Sequence, residues 1–473
     1  MDHEIESLQS LVLVPAKKKV QKQDQYFNWL NLPYELWLQI MVEYGLSAKD
    51  LAHMELTCRW FSWKGITEEA ARLLHRGMKP RVGELTNRVL GESWKEKLFY
   101  LETMISILPT LSAGSFQNIA IQNGKLYTWG AGRFGQLGNN VRTDKAQPQD
   151  ITLAIPPESG RVVQVSAGCG HSGLVTDCGH AYTFGDNRYN QLGQCVGHSS
   201  DRSRTCPFPT RVGKELSSRR IRQVACGSSH TLFLTDMGQV YVNGEGDCGQ
   251  LGLGTRHGIA QDPTLLPFPY DEHSIVFVTT GIGHNILLTH CGKAFTFGLA
   301  SQGQLGHGGT KNISQPTLVS VLLRKRIVVA AAGVSHSIFI DSDGVAYTCG
   351  TGKGFLGHGD GRIKTVPTKV AALDAQGVKV VKAAAGVGKS IFISSKGQGY
   401  WCGEWTGELE SSSVSIPVRM DLPEPLVSAS IGNSHVVLTM KSGRIMCMGK
   451  NTRYQSGEDD ENSVVRSYAY IDV

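Results

Sequence analysis

One glycine-rich phrase recurs seven times between Gly114 and the C-terminus, and it restricts the possible folds more than any other feature. It is clearest in residues 166–193, SAGCGHSGLVTDCGHAYTFGDNRYNQLG, and it returns in residues 225–252 as ACGSSHTLFLTDMGQVYVNGEGDCGQLG. A long internal period of this kind is typical of solenoids, propellers and other repeat arrays. The first glycines of the units follow one another at steps of 46 to 59 residues: Gly114, Gly168, Gly227, Gly281, Gly333, Gly386 and Gly432.

Each unit has the pattern of short antiparallel strands. A second glycine follows the first after 17 residues in six units and after 16 in the first unit, and a Gln-Leu-Gly phrase closes four of them. Between the two glycines lie two apolar runs around a turn such as Asp177-Cys178-Gly179. This pattern predicts a β-hairpin in which glycine supplies the positive φ of the turn. A proline-containing extended piece such as residues 209–212 and a further strand such as residues 161–165 complete the unit.

Four strands in each of seven units predict a seven-bladed β-propeller over residues 109–473, because radial closure protects the sheet edges. The first unit has no proline strand upstream of it, and residues 468–473 have the pattern of a strand. We therefore expect the C-terminal strand to join the first unit and close the ring. The predicted fold class is mainly β, with a small α-helical domain in front.

Composition narrows the functional classes. The 473 residues carry a net charge of only +6, which does not indicate nucleic-acid binding. Eleven cysteines without a C-x-x-C pair indicate neither a zinc ribbon nor a redox motif. No apolar run approaches the roughly 20 residues of a membrane span, and the N-terminus is polar. We expect a chain of the cytoplasm, the nucleus or both, without membrane contact.

The residues before the repeats divide into three parts. Residues 1–24, with a lysine run at 17–19, are expected to be a flexible basic tail, which is either a solvated patch or a nuclear localisation signal. Residues 25–75 carry apolar side chains at helical spacing, and residues 76–108 continue as a helical connector. So small a helical domain cannot bury this apolar surface alone. It faces either a partner or the next domain.

The order of residues in the helical domain resembles an F-box. Residues 32–40 read Leu-Pro-x-Glu-Leu-x-x-x-Ile, and residues 51–61 read Leu-x-x-Met-x-x-x-Cys-x-x-Phe. The resemblance implies binding to a Skp1-like adaptor, which joins F-box proteins to a cullin-RING ubiquitin ligase. Met54 and Trp60 depart from the aliphatic and basic residues that are usual there. The residues implied in the Skp1-facing surface or its support are Leu32, Pro33, Leu36, Ile40, Leu51, Met54, Cys58 and Phe61.

The repeat region resembles the RCC1 repeat. The phrases Ala-Gly-x-x-His-Ser, Tyr-Thr-x-Gly and Gly-Gln-Leu-Gly carry the resemblance, whereas the Trp-Asp signature of WD40 repeats and the doubled glycines of kelch repeats do not recur. The resemblance covers residues 109–473 and implies an RCC1-like propeller. It says little about function, because one fold hosts many activities.

Histidine occupies one position in five of the units, which raises the question of a metal. The histidines fall in different blades without carboxylate or cysteine ligands at a fixed spacing, and Gln117 and Lys389 replace them in two units. We interpret them as buried side chains that hydrogen-bond the backbone. They are His171, His230, His284, His336 and His435.

A second repeated position alternates between aromatic residues and smaller ones, which predicts a blade-core role. It holds Trp129, Phe184 and Phe297 in three units and Asn243, Cys349 and Cys402 in three others. The sequence shows no Ser/His/Asp set, phosphate loop or paired carboxylates, so we expect no catalytic residue, no cofactor and no metal.

The irregular units are the candidates for substrate binding. The second unit is the longest, with an insert at residues 198–209 followed by Arg211 and Lys214, which suit either a solvated loop or an acidic partner. The sixth unit is short, and Trp401 and Trp405 lie there among acidic residues, as a recognition patch or a repacked blade edge.

Taken together, these features favour the substrate-recognition adaptor of an SCF-type ubiquitin ligase, with Skp1 on the F-box and an unknown substrate on the propeller. The alternative is an exchange factor or regulator of a Ran-like GTPase, or a chromatin-associated RCC1-like protein. An ultraviolet photoreceptor is set aside, because five of the eight tryptophans precede the propeller and the Gly-Trp-Arg-His-Thr phrase of those receptors is absent.

Overall fold

A computed structural model describes residues 109–194, 204–254, 258–270, 273–405, 412–457 and 464–471. The predicted basic tail, the F-box-like domain and the helical connector lie outside the described residues. They remain predictions from the sequence. The eight residues assigned to the Skp1-facing surface, from Leu32 to Phe61, are among them.

The described chain forms seven four-stranded antiparallel sheets, which confirms the predicted seven-bladed propeller. Each sheet, called a blade, takes four consecutive strands in chain order. Blade 1 holds β1 (Leu111–Ala113), β2 (Gln117–Gln122), β3 (Lys125–Gly130) and β4 (Lys145–Asp150). Blade 2 holds β5 (Val162–Ala167), β6 (His171–Thr176), β7 (Ala181–Asp186) and β8 (Thr205–Arg211).

Blade 3 holds β9 (Ile221–Cys226), β10 (His230–Thr235), β11 (Val240–Glu245) and β12 (Ile259–Leu265). Blade 4 holds β13 (Ile275–Thr280), β14 (His284–Thr289), β15 (Ala294–Gly298) and β16 (Ile313–Leu318). Blade 5 holds β17 (Ile327–Ala332), β18 (His336–Asp341), β19 (Ala346–Gly350) and β20 (Lys364–Lys369).

Blade 6 holds β21 (Val380–Ala385), β22 (Lys389–Ser394), β23 (Gly399–Trp405) and β24 (Ser412–Arg419). Blade 7 holds β25 (Leu426–Ile431), β26 (His435–Met440), β27 (Ile445–Lys450) and β28 (Val464–Ile471). Short helical turns precede several blades, among them α1 (Ala371–Ala375) before blade 6. In the part of the chain that is described, no helix has the length and apolar character needed to cross a membrane.

The strand order separates two faces of the propeller. Because neighbouring strands are antiparallel, the turn after the first strand and the turn after the third strand of each blade emerge on the same side. We call this side the upper face. The hairpin turns, such as the one at Gly179, and the links between blades lie on the opposite, lower face.

The ring does not close in the way that the sequence suggested. The C-terminal strand β28 forms, but it pairs with β27 in its own blade, with Met446 opposite Tyr470. Blade 1 already has its own outer strand, β4, which contains Pro148. The expectation that residues 468–473 would join the first unit was therefore wrong. A strand forms most readily on the open edge nearest to it in the chain, and for β28 that edge is β27.

Blades 7 and 1 are instead joined by hydrogen bonds between separate sheets. The backbone N–H of Ala113 donates to Oγ of Ser430 at 2.8 Å, and the N–H of Asn433 donates to the carbonyl of Ser115 at 3.2 Å. The apolar side chains of Trp129, Val437 and Cys447 share one buried cluster across this contact.

The apolar core lies between neighbouring blades. One buried cluster combines side chains of blades 1 and 2, and others bridge blades 2 and 3, 3 and 4, and 6 and 7. The repeated aromatic position is confirmed as a core position, since all six side chains assigned to it are fully buried. They are Trp129, Phe184, Asn243, Phe297, Cys349 and Cys402.

Candidate protein-interaction face

The repeated histidines connect blades 2, 3, 4, 5 and 7 each to the next blade in the ring. Nε2 of His171 lies 2.9 Å from Oγ1 of Thr231 in blade 3, and Nε2 of His284 lies 3.0 Å from Oγ of Ser337 in blade 5. Burial was predicted correctly, but the partner is a side chain of the neighbouring blade and not the backbone. The remaining contacts are His230 with Asn285, His336 with Ser390, and His435 with Asn118.

Each of these partners passes the connection on to a backbone carbonyl. The hydroxyl of Thr231 donates to the carbonyl of Gln191 at 2.6 Å, and that of Ser337 donates to the carbonyl of Gln304 at 2.7 Å. A hydroxyl that donates its only proton there must accept from the histidine, so Nε2 carries the imidazole proton. We call this chain of bonds, from imidazole to side chain to carbonyl, the histidine relay.

Burial keeps the imidazoles neutral. Burial lowers the pKa of His171, His284 and His435 to about 3, and that of His230 and His336 to about 4. Within the described residues, no group of three or more His, Cys, Asp or Glu side chains is placed to hold a metal ion.

The Gln-Leu-Gly phrase fixes the upper-face turns. The side-chain oxygen of Gln136 accepts from the N–H of Phe134 at 2.8 Å, while its backbone carbonyl accepts from Ser172 in blade 2. The leucine is buried, and its carbonyl accepts from the threonine of the Tyr-Thr-x-Gly phrase, as Leu137 does from Thr128 at 2.6 Å. The repeated phrase therefore holds the turn to its own blade in blades 1, 2 and 4, and to the next blade in blades 1 to 4.

Glycine is required where the backbones of a blade approach each other. At Gly185, φ is +111°, and a Cβ atom would lie 2.5 Å from the carbonyl oxygen of Gly170. At Gly168 a Cβ atom would lie 2.2 Å from the carbonyl oxygen of Gly227 in the next blade. These contacts explain why the first and second glycines of the unit recur.

The contact between blades 6 and 7 lacks the relay. Lys389 takes the histidine position and Val436 takes the position of the hydroxyl or amide, so neither side chain can continue the chain of bonds. Lys389 is 3% exposed, and burial lowers the pKa of its ammonium while nearby Glu404 raises it. Ile431 fills the space that a glycine carbonyl occupies at other blade contacts.

A channel with a volume of about 450 Å³ runs between the innermost strands of all seven blades. Its wall is held partly by glutamines: the side chain of Gln223 accepts from the N–H of Val278 at 3.1 Å and donates to its carbonyl at 2.7 Å. Among the described residues that line the channel, Lys382 alone is charged. A single cation among neutral side chains does not indicate which class of ligand the channel could bind.

The basic residues predicted from the second unit lie near the lower face. Arg211 is exposed at the end of β8, opposite Tyr182, and its Nη2 donates to the carbonyl of Ser217 at 3.5 Å. Lys214 begins a helical turn and forms an ion pair with Asp262 of blade 3. The Lys214 ammonium therefore stabilises a contact between blades.

The two predicted tryptophans lie on β23 in blade 6. Trp401 is half-buried against the apolar cluster of blades 6 and 7, which favours the repacked-blade interpretation over a recognition patch. Trp405 ends the same strand, and its side chain lies outside the described part. The structure does not bring these residues together with Arg211 and Lys214, because blades 2 and 6 are not neighbours in the ring.

A different set of residues is brought together on the upper face, and the sequence reasoning missed it. An arginine followed by an aromatic residue occupies the turn after the third strand in blades 7, 1 and 2. These blades are consecutive only because the ring closes between blades 7 and 1. We call the set the arginine–aromatic surface: Arg453, Tyr454, Arg133, Phe134, Arg188 and Tyr189.

The turns that carry this surface are held by the same glutamine contact. The N–H of Tyr189 donates to Oε1 of Gln191 at 2.9 Å, and the N–H of Arg453 donates to Oε1 of Gln455 at 2.7 Å. The surface therefore projects from ordered backbone. Arginine and exposed aromatic side chains are the residues that contribute most to protein interfaces.

The repeat region matches known families. Residues 106–339 match the RCC1-like domain, and residues 343–393 match the regulator of chromosome condensation (RCC1) repeat. The propeller is therefore RCC1-like, which confirms the resemblance seen in the repeats. These matches do not extend to the F-box-like segment.

Two curated relatives match the propeller. The E3 ubiquitin-protein ligase HERC2 of Homo sapiens is 30% identical over 322 residues, which are 65% of this chain but only 6% of HERC2. The ultraviolet-B receptor UVR8 of Arabidopsis thaliana is 28% identical over 371 residues, 76% of this chain and 80% of UVR8. In the present chain, Trp129 lies in blade 1 and Trp401 lies in blade 6, so these two tryptophans are not in adjacent blades.

Solved structures show the same fold. Human WBSCR16 superposes with a TM-score of 0.65 at 20% identity, covering 74% of this chain and 94% of its own. Yeast RCC1 (Prp20), solved with Kap60, gives a TM-score of 0.65 at 20% identity, covering 80% and 87%.

Proposed function

We propose that this chain is a non-catalytic subunit that recruits a protein to a ubiquitin ligase. The propeller would hold the substrate protein on the arginine–aromatic surface, and the F-box-like residues 25–75 would bind a Skp1-like adaptor and, through it, a cullin-RING ligase. The main support is the arginine–aromatic surface, whose arginines and aromatic side chains are exposed in blades 1 and 2 and half-buried in blade 7, on an otherwise structural repeat. The complex would act in the cytoplasm, the nucleus or both.

The recurring reactive groups of the propeller support a non-catalytic role. Burial raises the pKa of the Cys226 thiol to about 12 and raises the pKa values of Cys349 and Cys402 further. A buried thiol with a raised pKa is a poor nucleophile. The histidines are neutral and engaged in contacts between blades, so they are also poor candidates for general acids or bases.

Such a subunit acts by proximity. A substrate held on the propeller and a charged ubiquitin-conjugating enzyme held on the ligase would meet at a raised effective concentration, so transfer to a substrate lysine needs no chemistry in this chain. The relationship to HERC2 supports a place in ubiquitin transfer, although the matched part is a small fraction of that ligase.

Co-purification with Skp1 and a cullin tests the proposal. The wild-type chain, expressed together with both proteins, should form a stable complex, and the variant Leu32→Ala/Pro33→Ala should lose it. A matched variant in the propeller, Arg133→Glu, should keep the complex, because the proposal assigns Skp1 binding to residues 25–75. Failure of the wild type to retain Skp1, or equal retention by the Leu32/Pro33 variant, would overturn the proposal.

A second candidate function is nucleotide exchange on a Ran-like GTPase or a chromatin-associated role. Its support is the fold shared with yeast Prp20p, which was described with its binding properties to Gsp1p and histones. A nucleotide-release assay with purified Ran-like GTPase separates the two candidates. Acceleration of release by the wild-type chain would favour the exchange factor, whereas the recruiting function predicts no acceleration.

A further inference from the structure

We infer that the arginine–aromatic surface binds an acidic protein segment that carries an aromatic or apolar side chain among its carboxylates. The inference rests on the proposed recruiting function for its biological role, since it names the chemical class of the substrate's docking segment. Its physical basis is independent of Skp1 and lies in the contacts of three neighbouring upper-face turns.

The Arg188 guanidinium is held in a fixed orientation. Nε and Nη2 donate to the carboxylate of Asp186 at 3.0 and 2.8 Å, and this carboxylate raises the pKa of the guanidinium. The Arg188 Cζ atom also lies 4.9 Å from the centre of the Phe134 ring in blade 1. A guanidinium has five N–H donors, and these bonds use two of its three nitrogens, which leaves Nη1 to a carboxylate on a partner.

A second carboxylate orders the arginines of blades 7 and 1. Oδ2 of Asp144 lies 3.4 Å from Nη1 of Arg453 and 3.9 Å from Nε of Arg133. Its other oxygen, Oδ1, accepts from the N–H of Gly132 at 3.0 Å. Asp144 thus connects two blades and places two guanidinium groups side by side. Arginines that are already ordered lose less conformational entropy when a partner binds.

Exposed aromatic side chains lie beside these charges. Phe134 is 37% exposed and Tyr189 is 38% exposed, each next to an arginine in the same turn. Phe208 in β8 is 51% exposed and follows Pro207, whose carbonyl accepts from the N–H of Asn140 in blade 1. Exposed rings of this size beside arginines suit a partner that also offers apolar contact.

The same turns elsewhere in the ring have a different chemistry. Blade 3 carries Asp247-Cys248, blade 4 carries Ser301-Gln302 and blade 5 carries Lys353-Gly354. In blade 3, burial and then the charges of Glu245 and Asp247 raise the pKa of the Cys248 thiol, so this turn is acidic. Among the upper-face turns that the structure describes, an arginine followed by an aromatic residue therefore occurs only in blades 7, 1 and 2.

The carboxylates within the surface favour a protein segment over nucleic acid. Nucleic-acid affinity grows with the number of phosphates that lysine and arginine neutralise, typically about 6–10 in a strong site. Here three arginines share the surface with Asp144 and Asp186, which partly neutralise them, so the surface offers fewer cations than a run of phosphates needs. A peptide offers separate carboxylates and N–H donors that such aspartates can also accept from.

Fluorescence anisotropy with the full chain tests the inference. The probes are a short peptide of glutamate and aspartate around one phenylalanine, and a single-stranded oligodeoxynucleotide of similar length. The test variant is Arg133→Glu/Arg188→Glu, whose side chains are 63% and 55% exposed. Because Arg188 pairs with the buried carboxylate of Asp186, the melting temperature of this variant is compared with that of the wild type, and Arg133→Glu alone, which leaves that pair intact, is tested beside it. Lys353→Glu, an exposed charge reversal on the same face in blade 5, is the matched control.

We expect the wild type to bind the peptide, the double variant to bind it at least about tenfold more weakly, and Lys353→Glu to match the wild type within about twofold. Tighter binding of the oligonucleotide, no peptide binding by the wild type, or equal loss in both variants would overturn the inference. Self-association that Arg133→Glu/Arg188→Glu abolishes would assign the surface to a second copy and overturn it as well. Skp1 co-purification is measured separately for the same variants, so failure here and failure of the recruiting function are distinguishable.

Discussion

Nε2 of His171 donates to Oγ1 of Thr231 in the next blade at 2.9 Å, so the two blades are joined by a bond that only a neutral imidazole completes without charging the interior. The imidazole is fully buried, and equivalent bonds leave blades 3, 4, 5 and 7. Most contacts between blades therefore depend on an imidazole that is neutral in the folded chain. In the unfolded chain the same imidazole is protonated below its ordinary pKa of 6.5.

This dependence predicts loss of stability in mild acid. The histidine pKa values are lowered to about 3 or 4 in the folded chain, so between pH 6.5 and those values the unfolded state binds protons that the folded state does not. The contribution of the histidines to the free energy of unfolding should therefore be present in full above pH 6.5 and be lost progressively as the pH falls. The cost at pH 5 is about 2 kcal/mol per histidine. Urea denaturation at a series of pH values measures it.

The variant His284→Gln provides the control, because Gln117 already occupies the equivalent position in blade 1. It should lower the free energy of unfolding at neutral pH by about 1 kcal/mol, through loss of one relay bond. Its loss of stability between neutral pH and pH 5 should be smaller than that of the wild type by about 2 kcal/mol. An unchanged pH dependence would show that the relay does not control acid stability.

The contact between blades 6 and 7 offers a repair. Lys389→His should regain an Nε2 donor, and Val436→Ser should provide its acceptor, but Val436→Ser alone buries a hydroxyl beside a lysine and should destabilise by about 1 to 2 kcal/mol. The double variant should be more stable, by about 1 kcal/mol, than the sum of the two single-variant effects predicts. A double-mutant cycle from chemical denaturation measures this coupling. Strict additivity would mean that the two positions do not interact.

Gly185→Ala tests the close approach within a blade. The added Cβ would lie 2.5 Å from the carbonyl oxygen of Gly170, at a φ of +111°, so we expect a loss of about 3 kcal/mol or more. Gly124→Ala shares the positive φ, at +77°, but no atom lies within 4 Å of its Cβ. That control should cost about 1 kcal/mol. Equal melting temperatures for the two variants would contradict the steric explanation.

The sequence predicted the blades well because strand, turn and glycine signals are local. A hairpin turn such as Asp177-Cys178-Gly179 can be identified from a few consecutive residues, and its recurrence in the other units supports each assignment. Ring closure was predicted wrongly because the repeat was divided at its first glycine, which separated β1 from the rest of blade 1. Nothing local to residues 464–471 says whether they pair with β27 or with the first sheet.

The contacts between blades could not be predicted in detail. His171 and Thr231 are 60 residues apart, and a repeat shows that both positions recur without showing that they touch. One signal of this contact was present in the sequence. Blade 6 has Lys389 in place of the histidine, and blade 7 has Val436 in place of the side chain that would accept its hydrogen bond. The arginine–aromatic surface was missed for a similar reason, since Arg453 and Arg133 lie at opposite ends of the repeat and become neighbours only when the ring closes.

The most direct test of the recruiting function is the fate of proteins that the propeller contacts in cells. Proximity labelling by the full chain, with and without proteasome inhibition, should identify proteins that accumulate when degradation is blocked. Those proteins should live longer in cells that carry Leu32→Ala/Pro33→Ala while still being labelled, and they should lose labelling with Arg133→Glu/Arg188→Glu. Unchanged lifetimes in cells with the Leu32/Pro33 variant, with labelling preserved, would contradict a role in ubiquitin-dependent degradation.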